Sequence, residues 1–196
     1  MSDHDPLYRA ARKQLEARLS EYRLLHSISV SDLAVTMAER YGTNVDDARM
    51  AGLLHDWDKN LSDEELISRA KEFGIELLPR QEDLAALLHA QTGAVAVARA
   101  FPSLPPQVIQ AIGRHTSAAP NMTELDMIIY VADMIEPLRS QGNLTPLRTI
   151  VGKVPLEVLF LKSFEMSMEH LIKRHRFIHP DSLEVWNTYI ARERNK

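Results

Sequence analysis

The run Ala51-Gly52-Leu53-Leu54 ends on His55-Asp56 and continues as Trp57-Asp58-Lys59-Asn60. Small and leucine residues in sequence carry a backbone into a core and deliver the imidazole and carboxylate at its end. Neighbouring helical residues point about 100° apart. They can therefore share one target only where the helix stops and the chain turns. A hard-to-borderline divalent cation accepts that mixed nitrogen and oxygen pair, and Lys59 could meet an anion held by the same cation. An isolated His-Asp pair is more often a plain helix end, so its meaning depends on partners elsewhere in the chain.

The 196 residues suffice for one domain with a proper core, and two would be cramped. The hydrophobic share of 45% and charged share of 26% are those of an ordinary soluble globular protein. The absence of cysteine excludes disulfides, thiolate nucleophiles and cysteine-ligated zinc, and it fits a reducing, cytoplasmic compartment. Met1-Ser2-Asp3-His4-Asp5-Pro6 is polar and acidic, which does not read as a signal peptide. No apolar run approaches the length of a membrane span. A formal net charge of −4 argues against a nucleic-acid binder, so a phosphate-bearing ligand would need local neutralisation.

Caps and periodicity predict one all-α domain of eight or nine helices. Asp5-Pro6 opens the first, running to about Ser20. A second spans Glu21 to Tyr41 before Gly42, with Leu25, Ser29, Leu33 and Met37 on one face, Val30, Ala34 and Ala38 beside them and His26 at its edge. Asn44 caps the helix ending at His55-Asp56. Ser62-Asp63-Glu64-Glu65 is a capping box, and Gly74 stops that helix. Gln81 to Ala100 reads as a helix that could break near Gly93. Leu125 to Ile135 reads as helix rather than strand because it is long, capped by Thr123 and closed by Glu136-Pro137. Asp133 interrupts that apolar run, where an unpaired carboxylate would be costly to bury. Asp126, two turns earlier, could instead be the buried one, and Arg139 is a cation near Asp133. A turn at Gly142-Asn143 precedes a long helix opened by Pro155. The last helix carries Leu183, Trp186, Tyr189 and Ile190, and Lys173 to Arg176 reads as a solvated helix end.

Four histidines and two aspartates (His26, His55, Asp56, His89, His115 and Asp133) thus lie on four or five helices that could converge on a bundle interior, where helical proteins build metal sites. Their order, H, HD, H, H, D, resembles the HD-domain superfamily of metal-dependent phosphohydrolases. Several blocks are similar to the YqeK family: Arg23-x-x-His26-Ser27, Ala51 to Asp56 with Lys59, Leu88-His89-Ala90, Ala111-Ile112-x-x-His115-Thr116, and Tyr130 to Pro137 with Arg139. Trp57-Asp58 departs from that family's pattern.

The resemblance implies one HD-type domain over residues 1–196, with its motifs in about 20–140 and the C-terminal helices 146–194 packed on them. It implies symmetrical hydrolysis of diadenosine tetraphosphate into two ADP. By it, His26, His55, Asp56 and Asp133 would ligate a divalent metal, iron in this family, with His55 and Asp56 also counted as catalytic. Manganese, zinc and nickel also suit that donor set. His89 and His115 would hold a second ion or touch phosphate. Arg23, Lys59, Thr116 and Arg139 would contact phosphate. Three rival readings stand: an HD hydrolase for a nucleoside monophosphate, deoxynucleoside triphosphate or guanosine alarmone; a non-catalytic nucleotide sensor; and a metal-free helical adaptor. Homodimerisation is left open.

Overall fold

A computed structural model describes residues 5–140 and 143–194. Within them the chain forms ten α-helices, one 3₁₀ segment and no strand. Asp5 accepts from the Leu7 and Tyr8 amides to start α1 (Pro6–Glu16). Helix α2 (Glu21–Tyr41) stops at Gly42, whose φ of 76° suits glycine. Asn44 caps α3 (Val45–Leu54), and the Ser62/Glu65 capping box opens α4 (Asp63–Glu72). The 3₁₀ segment Gln81–Leu87 leads into α5 (Leu88–Ala100), which pairs with α6 (Pro106–Arg114). Helix α7 (Glu124–Ile135) begins at a Thr123/Asp126 capping box. It is followed by α8 (Thr145–Ile150), α9 (Leu156–Lys173) and α10 (Asp181–Arg194). Gly142 lies outside the described residues, as do residues 1–4.

The main core joins α2, α3, α6, α7 and α9, with Val30, Leu53, Ile112, Ile128 and Phe160 fully buried in it. A smaller cluster of Leu66, Ala70 and Leu88 ties α4 to α5. Helix α7 packs on α2, α6 and α9, which places its inner face at the centre of the bundle.

Five expectations change. The described residues form ten helices rather than eight or nine, because α8 adds a single short piece with Pro146 in its first turn. The first helix ends at Glu16, short of Ser20. The buried face of α2 is His26, Ser27, Val30, Ser31, Ala34, Met37 and Ala38, while Leu25 is exposed. Small side chains there admit α3 so closely that a Cβ on Gly52 would lie 2.8 Å from Ser31 Cα. The α5 region changes character at Leu87 and runs unbroken through Gly93. On α10, Val185 and Tyr189 point inward and Leu183 outward. Lys173 to Arg176 is exposed, as a solvated helix end should be.

Candidate metal centre

The six singled-out residues meet in one place. His26 comes from α2, His55 and Asp56 from the end of α3, His89 from the start of α5, His115 from the end of α6 and Asp133 from α7. All but Asp133 are buried, and Asp133 keeps 20% of its side chain exposed. His26 Nε2 lies 3.0 Å from Asp133 Oδ1 and 3.9 Å from Asp56 Oδ2. His55 Nε2 lies 3.6 Å from Asp56 Oδ2 and 3.7 Å from Asp133 Oδ1. The other oxygen of Asp56, Oδ1, is 3.1 Å from His89 Nε2 and 3.7 Å from His115 Nε2. Asp56 thus turns one oxygen toward each of two groups.

The four histidines share one orientation. Nδ1 of His55 faces the Gly52 carbonyl at 2.8 Å, that of His115 the Ile112 carbonyl at 2.7 Å, and that of His89 the Ala86 carbonyl at 2.5 Å. A carbonyl only accepts, so each Nδ1 carries the hydrogen and each Nε2 turns a lone pair inward. In His26, Nδ1 faces the fully buried Glu136 carboxylate at 3.1 Å. Such outer partners fix the ring and raise the basicity of the inward nitrogen. His55 Nε2 is buried without a hydrogen-bond partner. The Nε2 atoms of His89 and His115 face each other at 3.1 Å. Imidazole and carboxylate acceptors crowded this closely fit a bound cation. Among the described residues, three overlapping sets (His26/His55/Asp56, His55/His115/Asp133 and Asp56/His89/His115) bring ligand atoms within 4.8 Å of one another.

The electrostatics agree. Burial would raise the Asp56 carboxyl, but charge on His55, the imidazoles of His115 and His89 beside it and the Lys59 ammonium hold it well below the usual range. For Asp133, burial is likewise overcome by the imidazoles of His26 and His55 beside it and by the Arg139 guanidinium. Burial lowers His89 to about 4 despite its bond to Asp56, so it stays neutral near pH 7. For His55, Asp56 and Asp133 outweigh burial and raise the imidazole. Two ionised carboxylates are drawing positive charge into a space ringed by lone pairs.

Cations surround this centre. Arg23 approaches Asp56 Oδ2 at 3.8 Å, and Arg139 donates to Asp133 Oδ1 at 2.6 Å. Lys59 Nζ lies 3.3 Å from His89 Nε2 and 4.0 Å from Asp56 Oδ1. Burial lowers the Lys59 ammonium, partly offset by Asp56 and Asp133. Trp57 packs edge-on against Phe101, and Asp58 sits 3.1 Å from Arg69, so this departing pair anchors the turn that presents Lys59. Thr116, half-buried beside His115, makes no hydrogen bond to the cluster. Asp126, fully buried, serves the α7 cap and pairs with Arg114 at 2.9 Å, away from the centre.

Sequence reasoning missed two residues. Glu136 was read as a helix end, yet it grips His26 and accepts from Ser29 Oγ at 2.7 Å and from the Leu138 amide at 2.6 Å. Arg148 on α8 donates to the carbonyls of Ile135, Glu136 and Arg139, pinning the turn that carries both Glu136 and Arg139. The Glu-Pro ending of the α7 block was the available signal for Glu136, whereas Arg148 had none. Glu136→Gln is expected to weaken metal affinity roughly 10- to 100-fold, measured by competition with a chelator, while the helical content stays unchanged.

Comparison with known proteins agrees with this geometry. The HD domain family matches residues 23–138, a span that contains every member of the cluster. A Bacillus subtilis (strain 168) protein named symmetrical bis(5'-nucleosyl)-tetraphosphatase is 30% identical over 179 residues, covering 90% of this chain and 94% of that protein. A protein of the same name from Halalkalibacterium halodurans is 31% identical, covering 94% and 97%. A crystal structure from Clostridium acetobutylicum, described as a predicted HD superfamily hydrolase involved in NAD metabolism, superposes with a TM-score of 0.89 at 34% identity, covering 94% of this chain and 97% of that one. An HD match spanning the whole histidine and aspartate cluster, with such relatives along nearly the full length, means that the chain belongs to the HD-domain family, among the symmetrical bis(5'-nucleosyl)-tetraphosphatases.

Proposed function

We infer that this chain cuts diadenosine tetraphosphate, and related dinucleoside polyphosphates, symmetrically into two ADP with the help of a divalent metal. The observation that carries the reading is Asp56, whose two oxygens face two groups of inward imidazole nitrogens inside a ring of three cations. His26, His55, Asp56 and Asp133 would hold the main ion. His89 and His115, with Asp56 Oδ1, offer a second position or a phosphate contact. The nitrogen and oxygen donors suit iron, which the family resemblance favours, and also manganese, zinc or nickel. A divalent cation bound there would lower the pKa of a water toward about 7 and neutralise phosphate charge.

The remaining work falls to the chain itself. Water's oxygen bonds to one inner phosphorus, the central bridging P–O bond breaks, and one ADP leaves with the bridging oxygen. Lys59 and Arg23 bind and orient the phosphate chain across the centre, where excess negative charge gathers on the equatorial and leaving oxygens. Bound phosphate would add counter-charge to that of Asp56 and Asp133 beside the buried Lys59 ammonium. Arg139 does two jobs, since it also holds the ligand Asp133. It therefore does not act on phosphate alone.

No helix among the described residues is long and apolar enough to cross a membrane. Product analysis tests the reaction. Two ADP per substrate is the expected outcome, and release of inorganic phosphate or pyrophosphate would favour another HD-type phosphohydrolase. Exhaustive chelation should abolish hydrolysis and leave the helical circular dichroism intact, because the apolar core is built without the cation. Adding metal back should restore the rate. Lys59→Ala should keep the metal and lower kcat/KM about 10- to 200-fold, the worth of one charge-assisted contact. Arg139→Ala should lose turnover and loosen the metal together.

A further inference from the structure

Among the described residues only six large apolar side chains are exposed, and three of them (Tyr22, Leu25 and Leu138) flank the metal centre. Tyr22 is 65% exposed and lies one helical turn before His26 on α2. Residues three, four and seven apart share a helix face, so Tyr22, Leu25, His26 and Ser29 form one stripe. Its inner end is fixed by Glu136, which holds both His26 and Ser29. The same carboxylate accepts from the Leu138 amide, bringing Leu138 to that rim. Arg23 and Arg139 are the chain neighbours of Tyr22 and Leu138, and both reach the carboxylates of the centre. An aromatic ring and two leucines thus border a cationic, metal-ligating floor.

An exposed apolar rim joined to a phosphate-binding floor matches a ligand with one flat apolar end and one anionic end. We propose that Tyr22, with Leu25 and Leu138 beside it, is the stacking platform for one purine of the substrate, and so a specificity-determining residue. This rests on the proposed hydrolysis of dinucleoside polyphosphates. A cut in the middle of the bridge needs one nucleoside held on each side of the metal, and Tyr22 lies one helical turn from His26, which faces Asp56 Oδ2 while His89 and His115 face Oδ1. Base–aromatic stacking is tolerant of base identity because every base has a π-face. The rim therefore selects a nucleotide over bare polyphosphate rather than adenine over guanine.

The test is direct equilibrium binding of ADP and of inorganic pyrophosphate to the metal-loaded protein and its Tyr22 variants, alongside turnover. Tyr22→Ala should weaken ADP about 5- to 150-fold, the loss of one stacking contact, and raise KM for diadenosine tetraphosphate similarly. Pyrophosphate affinity, metal content and kcat should stay near wild type, and Tyr22→Phe should restore ADP binding. Unchanged ADP affinity in Tyr22→Ala, or an equal loss for pyrophosphate, would overturn the assignment. So would a dimer that Tyr22→Ala converts to monomer without altering ADP binding, since the rim would then be an interface between copies. The binding arm does not depend on catalysis. Selective loss of ADP binding without any hydrolysis by the wild type would therefore retain the platform and reject the reaction.

Discussion

Asp56→Ala is expected to remove turnover, on the order of 10⁴-fold or more, and to strip the protein of its metal. Losses of that size follow when one member of a unit that acts together is deleted. Asp56 is such a member on both sides. Its Oδ2 serves the His26 and His55 group and its Oδ1 the His89 and His115 group. The truncation also leaves four inward lone pairs and one remaining nearby carboxylate, Asp133, already committed to His26 and Arg139. The fold should persist, since Asp56 is no part of either apolar cluster. Metal analysis, steady-state kinetics and circular dichroism on the same preparation check all three statements. His115→Ala then counts ions: a ratio falling from two to one marks His115 as a ligand, and an unchanged ratio with weaker substrate binding marks it as a phosphate contact. Retained metal and rate in Asp56→Ala would end the HD reading of this centre, however well the sequence blocks match.

The histidine and aspartate cluster was legible because each member stands in a short local block whose spacing survives translation into helices. His55-Asp56 follows a run that must end in the core, and Asp133 interrupts an apolar helix that the structure places at the centre of the bundle. What was not legible depends on distance and shape rather than pattern. The apolar stripe drawn on α2 put Leu25 inward and passed over Ser27 and Ser31, which line the inner face beside Val30, Ala34, Met37 and Ala38. Small residues there serve close approach, which hydrophobicity does not encode. Glu136 looks like a carboxylate at a helix end, and only the fold brings it to His26, 110 positions away in sequence. Arg148 acts on backbone carbonyls, which every residue has, so no partner type could point to it. The 3₁₀ segment before α5 was hidden for a related reason. The chain there turns the Ala86 carbonyl toward His89, so the geometry follows the site rather than local propensity.

Gly52→Ala should show how far the centre depends on that close approach. A Cβ at residue 52 would stand 2.8 Å from Ser31 Cα, 3.0 Å from Ser31 N and 3.2 Å from the Val30 carbonyl carbon. All three are backbone atoms, so no side chain can swing aside and α3 must move off α2. Overpacking of this kind costs typically 1–3 kcal/mol, and a backbone obstacle puts this site near about 3 kcal/mol. For a chain of this length that lowers Tm by roughly 10 °C. The catalytic loss should exceed what stability explains. Gly52 O is the acceptor that orients His55, and Ser31 Oγ donates to the Arg49 carbonyl across the same seam. Shifting α3 therefore moves His55 and Asp56 together, away from His26 on α2 and Asp133 on α7. Metal affinity and kcat/KM, measured well below the lowered Tm where the variant is fully folded, should both fall by at least about tenfold. A variant that melts early but binds metal and turns over like the wild type would show instead that the seam between α2 and α3 yields without disturbing its histidine.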